Sequence, residues 1–164
     1  MAAPLIAGND LTRMNDSIAS ILSHRGLIAV NQDALGVQAA RLQRSGPRIN
    51  FTDVYGDPLA RWEREAWVKP LLLFPGNYQQ FGFAIGLVNH GREKVTVSFS
   101  EWDVLARTFP KYFDATAKFD SLELWSGKGA GDVVAGDTVQ WEVEPDDIAV
   151  ITLRPDCTMD SCDR

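Results

Sequence analysis

Apolar and polar positions alternate to two different rhythms along this chain. Over residues 1 to about 36 the texture is α/β. Pro4-Leu5-Ile6-Ala7-Gly8 is a short unbroken apolar run, long enough for one buried strand. A polar turn, Gly8-Asn9-Asp10, follows. Ile18, Ile21 and Leu22 then fall at i, i+3 and i+4, which places them on one helix face. Asn15 or Asp16 can cap that helix, because either side chain accepts from an orphan backbone N–H. His24 and Arg25 stand in its last turn, where the dipole favours cations, and Gly26 suits the C′ position. The pattern therefore predicts a helix over 15–25. A second apolar run, Leu27-Ile28-Ala29-Val30, ends in Asn31-Gln32-Asp33.

From about Gln38 the period shortens to two. Val139, Trp141 and Val143 share one face of a predicted strand, and Gln140, Glu142 and Glu144 share the other. Residues 94–99 alternate in the same way. Further strands are predicted at 61–68, 81–89, 121–125 and 148–154. Turn signals separate them: Phe74-Pro75-Gly76-Asn77, His90-Gly91, Ser126-Gly127-Lys128-Gly129, Ala135-Gly136-Asp137 and Pro145-Asp146-Asp147. Short strands, regularly spaced and apolar on one face, predict an antiparallel β-sandwich.

The first part cannot make a core from one strand and one helix. A lone strand at 4–8 leaves both edges unpaired, and a continuous apolar run is typical of a parallel strand covered on both faces. Its partners are therefore expected upstream of this sequence. The division that follows is a β/α unit over 1–37, a β-sandwich over 38–155 and a tail over 156–164.

Composition narrows the function. Asp and Glu number 22 against 16 Lys and Arg, for a net charge of −6. That balance argues against nucleic acid, whose binding needs a basic face to displace counterions. No apolar stretch reaches the roughly 20 residues that span a bilayer. The N-terminus has neither the basic region nor the long apolar core of a signal peptide. Cys157 and Cys162 fit either a local disulfide or two free thiols. Asn15-Asp16-Ser17 and Asn50-Phe51-Thr52 are glycosylation sequons, which suit a secreted parent.

Two blocks carry a resemblance. Ala3-Pro4-Leu5-Ile6-Ala7-Gly8-Asn9-Asp10-Leu11, followed at the same spacing by Leu27-Ile28-Ala29-Val30-Asn31-Gln32-Asp33-Ala34-Leu35-Gly36-Val37-Gln38, resembles the end of the barrel in melibiase-type α-galactosidases and α-N-acetylgalactosaminidases (glycoside hydrolase family 27). Trp67-Val68-Lys69-Pro70-Leu71, Ala84-Ile85-Gly86-Leu87-Val88-Asn89 and Leu122-Glu123-Leu124-Trp125 resemble strands of that family's C-terminal sandwich. The chain departs from the pattern at Ala34, where the family usually has Pro, and at Ala39, where Gly is common. The stretch from Arg44 to Glu65 is also longer than the usual link.

The resemblance implies a mainly β chain: a C-terminal antiparallel sandwich preceded by the last β/α unit of a (β/α)8 barrel. It implies a retaining hydrolase of terminal α-linked galactose or N-acetylgalactosamine, without metal or cofactor, in a secreted, lysosomal or vacuolar parent. Retaining hydrolysis needs two carboxylates about 5 Å apart. The family carries both on barrel strands before the eighth, and no residue here matches them. The chain is thus expected to support an upstream barrel and to be inactive alone. Two other readings stay open: a glycan-binding sandwich, and an interaction module that self-associates through the apolar surface of residues 1–36.

Candidate site residues are few. Asn9 and Asp10 follow the eighth strand, so they stand at the active-site rim of an intact barrel or brace the loop before the helix. Trp62 and Trp102 are the candidates for an exposed sugar-stacking platform, while Trp67, Trp125 and Trp141 sit in strand patterns and read as core. Asp146-Asp147 reads as a solvated turn, Glu142 and Glu144 as a solvated strand face, and Glu101 and Asp103 as loop residues around Trp102. His24 and His90 lack partners at zinc-ligand spacing. Gly127-Lys128-Gly129-Ala130-Gly131 lacks the ending of a phosphate loop and reads as a hairpin connection.

Overall fold

A computed structural model of the chain describes residues 14–53, 55–72 and 81–155. The predicted strand at 4–8, Asn9 and Asp10, the turn at 74–77 and both cysteines lie outside the described residues.

Two short helices come first among the described residues. Asn15 caps α1 (Asp16–Leu22), its Oδ1 accepting from the Ile18 N–H at 2.9 Å. The helix does not run to Gly26 as its spacing predicts. His24 interrupts it and starts α2 (Arg25–Asn31), with its Nδ1 accepting from the Leu27 N–H at 3.3 Å. The apolar run at 27–30 therefore winds into a helix. Gly26 serves close approach rather than termination: a Cβ there would meet Leu124 Cδ2 at 3.2 Å and His24 Cε1 at 3.3 Å.

Eight strands follow among the described residues: β1 (Ala40–Thr52), β2 (Pro58–Leu72), β3 (Phe81–Asn89), β4 (Val95–Phe99), β5 (Lys118–Glu123), β6 (Gly129–Val134), β7 (Val139–Val143) and β8 (Asp147–Pro155). Helix α3 (Trp102–Thr108) lies between β4 and β5. A six-stranded sheet has the order β1-β2-β3-β8-β5-β6, and β4 pairs with β7 in a second sheet. Every pairing is antiparallel. The two sheets enclose one core, in which Val68, Phe83, Ile85, Leu87, Phe99, Leu105, Ile151 and Leu153 are all fully buried.

Three elements differ from the sequence expectation. β1 escapes a period-two search because two bulges interrupt its register, at Arg41/Gln43 and Ser45/Arg48. Gly46 in the second bulge has φ 78°, a conformation that favours glycine, and a Cβ there would meet Glu63 Oε2 at 2.6 Å. β6 hides behind its glycines, so the turn falls at 124–127 and the chain from Gly129 is strand. The segment around Trp102 is helix rather than loop.

Asn89 fastens the end of β3 to the second sheet. It is fully buried, and its Nδ2 donates to the carbonyls of Glu93, Val143 and Glu144 at 2.8–3.1 Å. Its Oδ1 accepts from the Gly91 N–H at 2.8 Å.

Candidate functional site

The six-stranded sheet has two faces. On β2, Ala66 and Val68 point into the core, so alternation turns Glu65, Trp67, Lys69 and Leu71 to the opposite side. Residues 14–35 lie across that outer face. Lys69, 2% exposed, donates from Nζ to the Val30 carbonyl at the end of α2. Burial holds its ammonium below the usual lysine range, and the nearby Asp33 carboxylate opposes this. Asp33 itself makes the latch: one oxygen accepts from the Leu72 N–H at 2.9 Å and the other from the Leu35 N–H at 3.1 Å. The Asn31-Gln32-Asp33 segment is thereby tied to the lower end of β2. Beside it, the Glu65 carboxylate is held by Arg41 at 2.8 Å and by the Trp67 indole N–H at 3.0 Å.

At the other end of the sheet, the His24 ring lies 4.9 Å from the Trp125 ring. Here α1 overhangs an open groove of about 420 Å³ lined by Ser20, Ile21, Trp125, Trp141, Glu144 and Ile148, among others. The Trp125 indole N–H donates to the Ile148 carbonyl at 3.2 Å. Glu142 and Glu144 share Lys94, at 3.3 and 3.1 Å.

Glu123, also on the groove wall, is buried but structural. Its carboxylate accepts from the N–H groups of Trp125 (3.1 Å) and Ser126 (2.7 Å) and from the Ser126 hydroxyl (2.7 Å). Burial pushes its pKa up, but these bonds and one from Val150 outweigh it and hold the carboxyl below its ordinary 4.5. A depressed carboxyl stabilises the fold fully above its unfolded pKa, and this is lost as pH falls through the folded one. Urea midpoints measured from about pH 6 to about pH 3 should therefore drop less steeply in Glu123→Gln, which starts from a lower plateau, than in the unmodified chain. Parallel profiles would count against this role.

The predicted site residues do not converge. Trp102 is 5% exposed and is no stacking platform. It packs among Phe99, Phe113 and Phe119 at 5.5–6.4 Å between ring centroids, and its indole N–H donates to the Asp137 carbonyl at 2.6 Å. Helix formation at 102–108 turns that ring inward, which a loop reading does not foresee. Trp62 is half-buried, with the Arg48 guanidinium across its ring at 5.4 Å. Trp67 and Trp125, read as core, are 37% and 40% exposed: Trp67 stands on the outer face of β2, and Trp125 lies in the turn after β5 rather than in a strand. Only Trp141 of the three packs against the core.

Asn15 and Asn50 are both exposed, the former as a helix cap and the latter on β1. Asp146 pairs with Arg61 at 3.1 Å and Asp147 begins β8. His90 lies 3.9 Å from Glu65. Among the described residues no group of three or more His, Cys, Asp or Glu is placed to hold a metal ion. None of their helices is long and apolar enough to cross a membrane.

No protein-family model matches the chain. Individual proteins do. An α-galactosidase of Saccharomyces mikatae is 30% identical over 126 residues, covering 77% of this chain and 24% of the relative. Alpha-galactosidase A of Cellvibrio japonicus is 46% identical over 61 residues, 37% of this chain and 14% of that protein. The crystal structure of α-galactosidase I from Mortierella vinacea superposes with a TM-score of 0.66 at 20% identity, over 93% of this chain and 32% of that one. The chain thus spans a quarter or less of the length of these two curated relatives. The mostly antiparallel β-domain matches the fold of the C-terminal β-domain in α-galactosidase structures. The chain belongs to the melibiase-type α-galactosidase family, and corresponds to its C-terminal part.

Proposed function

We propose that this chain is the C-terminal portion of a retaining α-galactosidase that hydrolyses terminal α-linked galactose or N-acetylgalactosamine. In that role residues 1–37 complete the (β/α)8 barrel, residues 38–155 buttress it, and the catalytic carboxylates lie upstream. No metal or organic cofactor enters the reaction. The observation that supports this reading is where the apolar surface lies. Ile21, Trp67, Trp125 and Ile148 are 36–52% exposed. Trp67 and Ile148 belong to the outer face of the large sheet, Trp125 to the turn that follows β5 beside Ile148, and Ile21 to the helix laid across the sheet. Apolar surface gathered on one side is a seat for a partner, and the upstream barrel supplies one in register with α1 and α2. The exposed sequons at Asn15 and Asn50 suit a parent made in the secretory pathway.

The test is hydrolysis of a chromogenic α-galactoside, with the anomer of the product identified. The 164-residue chain should give no turnover, and the same chain carried on its full-length protein should hydrolyse with retention. Turnover by the chain alone, abolished by a galactose-mimicking inhibitor, would overturn the support role.

The groove under α1 gives a second reading some ground. Two indoles beside hydrogen-bonding carboxylates are the chemistry of a glycan-binding surface, and they replace Trp62 and Trp102 as its residues. Indole fluorescence that shifts on titration with galactose or α-galactosides would favour this reading. Flat titrations across a sugar panel would remove it.

A further inference from the structure

The β1–β2 hairpin continues past the sheet. The pairing of β2 with β3 begins at Arg64↔Asn89, whereas β1 and β2 pair out to Thr52↔Pro58. The His90 N–H donates to the Glu63 carbonyl at 2.7 Å, so residues 45–52 and 58–62 form a two-stranded arm that pairs with no third strand, about eight residues or roughly 25 Å long. This arm falls within the stretch that is longer than the family's usual link. A two-stranded hairpin alone is marginally stable in water, yet this one exposes large apolar side chains: Phe51 at 37% and, opposite it, Leu59 at 46%.

Two geometric facts say where the arm points. The first is its face. β2 runs without a bulge of its own, so Leu59 and Arg61 share the side of Trp67 and Lys69, the side that bears α2. Arg61 lies over Phe51 at 4.9 Å and pairs with Asp146 at the same end of the sheet, which fixes the arm's root. The second is its direction. Residues of α1 line the groove with Ile148, next to the Asn89↔Asp147 end of the sheet, whereas Val30 and Asp33 at the helical segment's end reach Lys69 and Leu72. The arm extends past the end where α1 begins. In a (β/α)8 barrel each helix starts at the face that carries the active site.

We propose that the β1–β2 arm is a clasp, packing its Phe51–Leu59 face onto the catalytic-end loops of the barrel. This rests on the function proposed above. The occupant follows from continuity: the apolar face of the arm prolongs the face already occupied by α1 and α2, so what covers one covers the other. The clasp places this domain at the substrate-entry rim.

Amide hydrogen exchange over 48–52 and 58–62 tests it, in the 164-residue chain and in the full-length protein, each at two concentrations. The clasp predicts exchange slower by about tenfold or more in the full-length protein, independent of concentration. Leu59→Asp should return the arm to fast exchange there, and the milder Leu59→Ser should do so in part. Equal exchange in both proteins overturns the clasp. Protection that appears in the short chain and rises with concentration overturns it too, and assigns the face to a second copy. Chromogenic α-galactoside hydrolysis by the full-length protein separates the two claims. An active enzyme with an unprotected arm sinks the clasp alone, and an inactive one sinks the function on which it rests.

Discussion

Trp102→Ala should lower the unfolding free energy by about 3–5 kcal/mol, the range for emptying a buried aromatic site. The ring is 5% exposed and neighbours three Phe rings, and its indole N–H donates to the Asp137 carbonyl. Truncation leaves a cavity and strands that carbonyl at once. Single domains have roughly 5–15 kcal/mol to lose, so the loss approaches unfolding and should appear as a large drop in urea midpoint. Trp102→Phe keeps most of the volume and should cost less. A Trp102→Ala chain as stable as the unmodified one, with weakened sugar binding, would restore the surface reading of this residue.

The second large effect concerns the latch. Asp33→Ala removes the acceptor of the Leu72 N–H and a carboxylate whose charge favours the Lys69 ammonium. Leaving a buried donor unsatisfied costs about 1–3 kcal/mol, and more where a charge is involved. The loss should be local. Exchange over 16–31 should accelerate, while β3 and β8 stay protected, because their pairing does not involve Asp33. Lys69→Met, which removes the buried charge and keeps the stem, should loosen the helices less than Asp33→Ala. Uniform acceleration across the sheet would show that the helices are part of the core rather than a separable layer latched to it.

Much of the β-sandwich is legible in the sequence. β3, β4, β7 and β8 fall within a residue or two of the predicted runs: β4 and β7 because each buries one face and leaves the other more open, β3 and β8 because they are short apolar runs buried on both faces and bounded by turn signals. β1 is not legible: bulges shift its phase and its outer half has no core to face. α2 is hidden because an apolar run of four residues fits strand or helix equally, and the His24 cap that decides the matter is an uncommon one. The indoles are misplaced for a related reason. A period-two pattern shows that Trp67 faces a covered side but not that the sheet has two such sides, one of them only partly covered by α1 and α2, and Trp125 falls in the turn after β5 rather than in the strand expected at 121–125. The family is legible mainly in residues 3–38, where short apolar runs and polar turns recur at fixed spacing. A candidate site is hardly legible, since the groove under α1 draws its walls from four separated segments.

On the function proposed above, the outer face of the large sheet is the seat of a catalytic barrel encoded upstream. Reading the coding sequence upstream of Met1, in the same frame, tests this most directly. The expected result is an open frame with further barrel strands, one ending in Lys-x-Asp and another carrying the second aspartate. An in-frame stop codon directly before Met1 would contradict it, and would leave the sandwich as a binding or interaction module in its own right.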